Sequence, residues 1–283
     1  MTAIISTAYS RDLGDELRRL RESCTSFGGR AMAAQLGWDP SKVSNIETGK
    51  ARASDIDLAQ YLATCGKDLD FLQEFGNRYR HAFDLYFAQS PTNLRTLAMV
   101  ESMATKIFAY EILSVPGLLQ TEAYVRALFE ESDNVLPEDI EKGVKLRMGR
   151  QCIWQRPYRP ECMFYVHELA LQMRIGDAKV MEDQYLRLLF NAHVLRVVPA
   201  NVRGTKFHSK CTLFEFGKAS PVAYTETDLA KVFTQDTPAI AWSRELFERL
   251  DAVALDEEQS KNRLAEYVSG LREDSHDPRT DLA

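Results

Sequence analysis

Long apolar runs are missing from this chain of 283 residues. None approaches the roughly 20 residues of a membrane-spanning helix, and Met1–Ser10 lacks the basic-then-apolar layout of a secretion signal. Cysteine is scarce and unpatterned. The five present (Cys24, Cys65, Cys152, Cys162 and Cys211) are odd in number and never spaced C-x-x-C. That excludes a disulfide framework and implies reduced thiols in a cytoplasm. The glycine patterns that cradle phosphates or seat a nucleophile are absent as well: there is no G-x-G-x-x-G, P-loop or G-x-S-x-G. His167–Glu168 does not begin an H-E-x-x-H site, because the residue four beyond His167 is Leu171. His193 and His208 stand alone in sequence, with Cys211 three residues after His208. The expectation is no metal, no cofactor and no enzymatic activity.

A positive charge excess is also lacking, since the net charge is −6. That argues against a protein that coats nucleic acid in bulk. Locally the balance reverses. Over Arg18–Arg52 seven basic residues face three acidic ones, although residues 1–80 carry 11 of each. Positive charge confined to one segment suits a site-specific binder making few phosphate contacts.

That segment contains the most informative run, RAMAAQLGWDPSKVSNIETG at Arg30–Gly49. Ala33, Gly37, Val43 and Ile46 fall four, six and three residues apart, the spacing of a helix-turn-helix. Ala33 suits a close helix crossing. Gly37 suits a turn with φ > 0. Val43 and Ile46 share one face of the second helix, leaving the opposite face free for a DNA groove. Ser41, Lys42, Ser44 and Asn45 are expected on that free face. Asn45 is suited to an adenine edge and Lys42 to guanine or phosphate. Arg30, Lys50 and Arg52, at and beyond the ends of the motif, are further candidate DNA contacts. Trp38, in the turn, reads as a lid on the small core.

Periodicity extends the picture. Ser10 or Asp12 can cap a first helix with Leu13, Leu17 and Leu20 buried and Arg18, Arg19 and Arg21 toward solvent. Ser54 and Asp57 form a capping box for a fourth helix with Ile56, Ala59, Leu62 and Ala63 inward. Asp68 caps a fifth carrying Leu69, Leu72, Phe75, Tyr79 and Phe83. Beyond Thr105 the pattern is mixed. Strand-like runs at Ile107–Val115, Met163–Val166, Val194–Val198, Thr212–Phe216 and Val222–Thr225 alternate with helical stretches. The fold class expected is α+β: an all-α, five-helix, lambda-repressor-like helix-turn-helix domain followed by a larger mixed α+β domain. The expected division is a disordered start (1–9), the DNA-binding domain (10–80), a helical connector (81–104), a regulatory or partner-binding domain (105–273) and a disordered tail (274–283).

LGDELRRLRE (Leu13–Glu22), AAQLG (Ala33–Gly37) and VSNIETGKAR (Val43–Arg52) together resemble the Cro/repressor-like XRE family. The resemblance implies that Glu47 is structural, bonded to an arginine of the first helix (Arg18 or Arg21), that Gly49 ends the recognition helix, and that Lys50 approaches a phosphate. Many members carry Gln where this chain has Gly29. VPGLLQTEAYVRAL (Val115–Leu128), LRMGRQ (Leu146–Gln151), HELALQMRIG (His167–Gly176), VMEDQYLRLL (Val180–Leu189) and VAYTET (Val222–Thr227) are similar to the C-terminal domain of WhiJ-like regulators of filamentous actinobacteria. That similarity implies transcription regulation, antitoxin-like in some members.

In the second domain, Lys142, Lys145, Arg147, Arg150 and Arg156 form a basic helix face, either a solvated one or a binding surface. Arg147, Arg150, Gln151 and Tyr124 are the candidate contacts for a ligand or partner. Phe108, Tyr110, Tyr124 and Tyr165 read as core in preference to a pocket. The expectation is a cytoplasmic homodimer bound to a double-stranded DNA operator, with the C-terminal domain sensing either a ligand, such as a small-molecule effector, or a partner. The alternative is an antitoxin-like protein that sequesters a small partner protein encoded nearby and autoregulates its operon.

Overall fold

The computed structural model describes residues 6–90, 94–132, 135–202, 207 and 209–274. His208 and residues 275–283 of the expected tail lie outside them. The chain forms two compact units. One holds the residues up to Val100 together with Val232–Asp236, and the other holds Glu101–Lys231 and the chain from Thr237 onward. The boundary thus falls inside the connector expected at 81–104.

The first unit begins with α1 (Ala8–Cys24), α2 (Gly29–Leu36), α3 (Pro40–Glu47), α4 (Asp55–Thr64) and α5 (Leu69–Arg80). Helix α1 starts earlier than the sequence reading placed it. Thr7 is the N-cap and shares a capping box with Ser10, so Tyr9 is helical and buried. Ser54 with Asp57, and Asp68, cap α4 and α5 as expected. In α1, Leu13 and Leu17 are fully buried, and Arg21 is buried with them. It had been expected at the surface, but a residue four beyond Leu17 shares the same stripe. In α4 the inward residues are Leu58, Tyr61 and Leu62, whereas Ile56 is exposed.

A short strand, β1 (Tyr86–Gln89), lies where an all-helical connector was expected, and α6 (Arg95–Met103) follows. Its Phe87 ring stacks between Tyr9 (4.5 Å) and Phe233 (4.9 Å). The backbone N–H of Ala8 donates to Gln235 Oε1 at 2.6 Å. The late segment Val232–Asp236 is therefore part of the first unit's core.

In the second unit five strands run in the order β6–β5–β2–β3–β4: β2 is Lys106–Glu111, β3 Glu161–His167, β4 Leu195–Val198, β5 Cys211–Glu215 and β6 Val222–Glu226. Strands β2, β3 and β4 are parallel, while β5 is antiparallel to both β2 and β6. The crossover from β2 to β3 carries α7 (Glu122–Glu130) and α8 (Ile140–Arg150), and that from β3 to β4 carries α9 (Glu168–Gln172) and α10 (Ala178–Phe190). A strand not anticipated from the sequence, β7 (Lys231–Thr234), lies mostly in the segment that belongs to the first unit, and α11 (Thr237–Val253) and α12 (Glu257–Asp274) of the second unit follow it.

One face of the sheet presents Tyr110, Tyr165, Cys211 and Leu213 to Leu246, Phe247 and Leu250 of α11. Phe108 packs against the same cluster, so three of the four aromatics weighed for a pocket are core; Tyr124, on α7, is fully buried. The alternate residues Ile107, Ala109, Phe164 and Val166 are also buried. Both faces are covered, as parallel strands joined by helical crossovers require. The α+β class holds: an all-helical helix-turn-helix region followed by a larger mixed domain.

Candidate nucleic-acid interface

Helices α2 and α3 are joined by Gly37, which takes the left-handed conformation (φ +66°, ψ 30°). Asp39 then caps α3 by accepting from the Ser41 N–H at 2.8 Å, with Pro40 in the first turn. Met32, Ala33, Val43 and Ile46 are each at most 2% exposed. Burying a side chain the size of Val43 or Ile46 contributes about 1.5–3 kcal/mol, so the inward face of α3 is decided by these two residues. Ser41, Ser44 and Asn45 are consequently exposed on the other face.

The far end of α3 is fixed by glycine. Gly49 has φ +65°, and a Cβ there would lie 2.4 Å from the Ser10 carbonyl carbon. Ser10 Oγ donates to the Gly49 carbonyl at 2.9 Å. A Cβ on Gly14 would sit 2.6 Å from the Ile46 oxygen. Both glycines permit α1 to approach the end of α3 backbone to backbone. Arg21 completes the junction: its Nε and Nη2 donate to Glu47 Oε1 and Oε2 at 2.7 and 2.9 Å. Tyr61 Oη donates to Glu47 Oε1 at 2.6 Å. The Glu47 carboxylate holds the Arg21 guanidinium firmly charged, raising its pKa above the usual arginine range. Burial and the same carboxylate raise that of the Tyr61 phenol. The arginine partner is Arg21; Arg18 pairs with Asp15.

The expected phosphate and base contacts divide into two groups. Arg30, Asn45 and Lys50 are exposed, and among the described residues their side chains have no hydrogen-bond or ion-pair partner. Lys42 and Arg52 are engaged within the unit. Lys42 Nζ donates to Asp57 Oδ1 at 2.6 Å and lies 4.2 Å from the Trp38 ring centroid. Arg52 donates to the Arg80 carbonyl at 2.6 Å and stands over the Phe83 ring. Sequence reasoning missed Asp57 as the partner of Lys42, because a capping-box residue has its local role already. Trp38 is half-buried, 6.5 Å from the Tyr61 ring. Position 29 has open space: a Cβ on Gly29 would meet nothing within 4 Å.

In the second unit the basic residues of α8 do not share one solvated face. Lys142 and Lys145 are exposed, whereas Arg150 forks onto the buried Glu101 (2.8 and 2.5 Å). Glu141 pairs with Arg126. Gln151 donates to the Gly117 and Gln120 carbonyls at 3.3 and 2.8 Å, and Arg147 donates to Gln120 Oε1 at 3.2 Å. Tyr124 Oη accepts from the Val115 N–H at 3.5 Å. The four candidate ligand contacts, Arg147, Arg150, Gln151 and Tyr124, thus gather about the Val115–Gln120 turn, the Arg150 guanidinium lying beside Gly117. Arg150 is committed to Glu101, and Gln151 and Tyr124 hold backbone.

Arg147 stands 4.8 Å from the Phe129 ring, and its buried Nε has no hydrogen-bond acceptor among the described residues. Near it, at the end of β2, burial raises the Glu111 carboxyl from its ordinary 4.5 to about 7, opposed by Lys210. Glu226 is held down at about 2 by Lys210, which lies 3.1 Å away, and by the Tyr224 hydroxyl at 2.5 Å. No grouping of three or more His, Cys, Asp or Glu residues suited to a metal ion occurs among the described residues. No helix there is long and apolar enough to cross a membrane.

Comparison with known proteins agrees with this division. Residues 12–75 match the family described as a helix-turn-helix domain, and residues 94–266 match one described as a domain of unknown function, DUF5753. No curated protein and no solved structure matches the chain. The helix-turn-helix domain supports a DNA-binding regulatory role in general. With more than half of its length matched, the chain belongs to the DUF5753 family and carries a helix-turn-helix domain ahead of it.

Proposed function

We propose that this protein is a sequence-specific transcription regulator, non-enzymatic and free of cofactor, that inserts α3 into the major groove of a double-stranded DNA operator. The observation that carries the reading is the outward face of α3. Ser41, Ser44 and Asn45 are exposed there while Val43 and Ile46 are buried behind them. In this reading Asn45 and Ser44 meet base edges, and Arg30 and Lys50 meet phosphates. Lys42 acts from its place between Asp57 and Trp38. One recognition helix spans only a few base pairs, so tight binding calls for a homodimer on two half-sites about one helical turn apart. The C-terminal domain supplies the input by binding a small-molecule effector.

The second reading, an antitoxin-like protein that captures a small partner and autoregulates its operon, is favoured by Tyr158, Phe190 and Leu229. These are 94%, 79% and 88% exposed. It predicts co-purification with the product of a neighbouring gene.

The test of the first reading is selection of duplexes from a randomised pool by the full chain, followed by mobility-shift titration. A two-fold symmetric sequence should be enriched, and Ser44→Ala with Asn45→Ala should remove the preference while weak nonspecific binding persists. A pool that shows no enrichment, or a double variant with undiminished preference, would refute it.

A further inference from the structure

The second unit holds a cavity of about 440 Å³ between α9, α10 and α12, within the size range of small-ligand sites. Its lining includes Glu168 from α9, Tyr185 from α10, and Arg263, Glu266, Tyr267 and Gly270 from α12. The four α12 residues fall at i, i+3, i+4 and i+7 and so share one side of the helix. Leu264 and Val268, between them, are buried in the core.

Glu168 lies where two parallel strands end. It directly follows His167, the last residue of β3, and accepts from the Ala200 N–H, just past β4, at 2.9 Å. Small ligands of sheets with parallel strands collect beyond the carboxyl ends of those strands. The other Glu168 oxygen accepts from Arg263 Nη1 and, at 3.3 Å, from Tyr267 Oη. The Tyr185 hydroxyl donates to the Leu171 carbonyl, and its ring stands 5.5 Å from that of Tyr267. The wall is fixed by contacts of its own unit.

Gly270 is the member of the wall that the fold does not require. It sits inside α12, where glycine is a poor helix former. A Cβ there would meet nothing within 4 Å, and its φ is not positive. Side chains on a helix lean toward the preceding turn, so one at position 270 would lean over Glu266 and Tyr267. Glycine leaves the half-buried Tyr267 ring open to the cavity.

The polar groups beside that ring come as a pair. Arg263 Nε lies 3.0 Å from Glu266 Oε2, and the Glu266 side chain is 69% exposed. Arg263 Nη2 has no partner among the described residues. An acceptor and a donor therefore stand side by side. With Arg174 also on the lining, two guanidiniums balance two carboxylates.

We propose that this cavity binds an uncharged nucleoside, its base stacked on Tyr267, with Glu266 accepting from the base edge and Arg263 Nη2 donating to it. The inference rests on the reading that the C-terminal domain binds a small-molecule effector, and it names the site and the ligand class. Every base has a flat π-face, and a base edge sets a donor beside an acceptor. An uncharged ligand leaves the charge balance of the cavity undisturbed.

The experiment uses the full chain with adenosine, guanosine, cytidine and uridine as probes. Ribose, which lacks the ring, and indole, which lacks the paired edge, are the controls. Melting temperature and calorimetric titration are the readouts. At least one nucleoside should raise the melting temperature in a saturable way, and the controls should not. Gly270→Leu should melt no lower than wild type when ligand-free and should weaken nucleoside binding at least tenfold. Glu266→Ala should weaken it to a similar degree, whereas Tyr267→Phe, which keeps the ring, should retain it. Silence from all four nucleosides, an equal response to ribose or indole, or undiminished binding by Gly270→Leu overturns the proposal. So does a marked fall in the melting temperature of ligand-free Gly270→Leu, which would mean that the fold itself uses the space. A general small-molecule library is screened in parallel. A ligand from it that binds wild type and Gly270→Leu alike, with the nucleosides silent, refutes this site and leaves the effector reading standing. Silence from both sets refutes both.

Discussion

Arg21 of the first helix grips Glu47 at the end of the recognition helix through two parallel hydrogen bonds of 2.7 and 2.9 Å, both side chains only 7% exposed. Removing one partner strands the other charge in the core, which costs about 3–5 kcal/mol. Glu47→Ala should therefore unfold the helix-turn-helix domain at markedly lower denaturant. Arg21→Met combined with Glu47→Leu should cost less than the two single changes summed. Additive losses in urea titrations would contradict a coupled pair.

Gly37 and Gly49 have nearly the same positive φ, 66° and 65°, in different surroundings. Alanine at position 37 meets open space and bears only the left-handed penalty of about 1–2 kcal/mol. At position 49 its Cβ would also strike the Ser10–Arg11 peptide, with contacts of 2.4 and 2.5 Å. Gly49→Ala should be clearly the more destabilising of the two by thermal melting.

Gly29 opens α2 with free space where a side chain would go. Gly29→Gln should leave the fold intact and raise stability by about 0.5 kcal/mol through helix propensity. Its side chain adds a donor at the helix N-terminus, where phosphates bind. The operator affinity of the variant should rise, and a mobility shift showing a fall would place the backbone of the DNA elsewhere.

Arg30 and Lys50 are expected to act through phosphates and Asn45 through a base. Arg30→Ala or Lys50→Ala should weaken operator and nonspecific binding alike and reduce the slope of log K against log salt by about 1. Asn45→Ala should leave that slope unchanged and cost about 1–3 kcal/mol of discrimination. Salt titrations in which the effects are exchanged would reassign the roles.

The Glu111 carboxyl titrates at about 7 in the fold and near 4.5 in the unfolded chain. Below 4.5 both states hold the proton. As pH rises through 7 the folded state must ionise a buried group, so this residue's contribution to stability is lost between those values. Glu111→Gln should thus gain stability relative to wild type from pH 5 to pH 8, by on the order of 1 to 3 kcal/mol. Glu226, lowered to about 2, acts with the opposite sign and loses its contribution as pH falls below 4.5. Parallel melting curves of wild type and Glu111→Gln over that range would remove the argument.

Local rules made the helix-turn-helix legible. The Asp39 and Ser54 caps, the αL Gly37 and the buried pair Val43 and Ile46 all act within a few residues of themselves. The second domain's strands were readable for the same reason, as short apolar runs between turns. Strands β1 and β7, four residues each, were not, because too few residues alternate in them to reveal a period.

The sequence by itself determined where the recognition helix starts, which of its faces is buried and which residues face outward, because capping and periodicity depend on neighbours in the chain. Which charges are spoken for was decided only by the tertiary structure. Arg21 turned inward to Glu47, 26 positions away, and Lys42 was taken by Asp57, 15 positions away. Arg150 found Glu101 at a separation of 49, while Arg147, one helical turn before it, found no carboxylate among the described residues. A long charged side chain reaches whatever the fold brings beside it, and no local pattern carries that information.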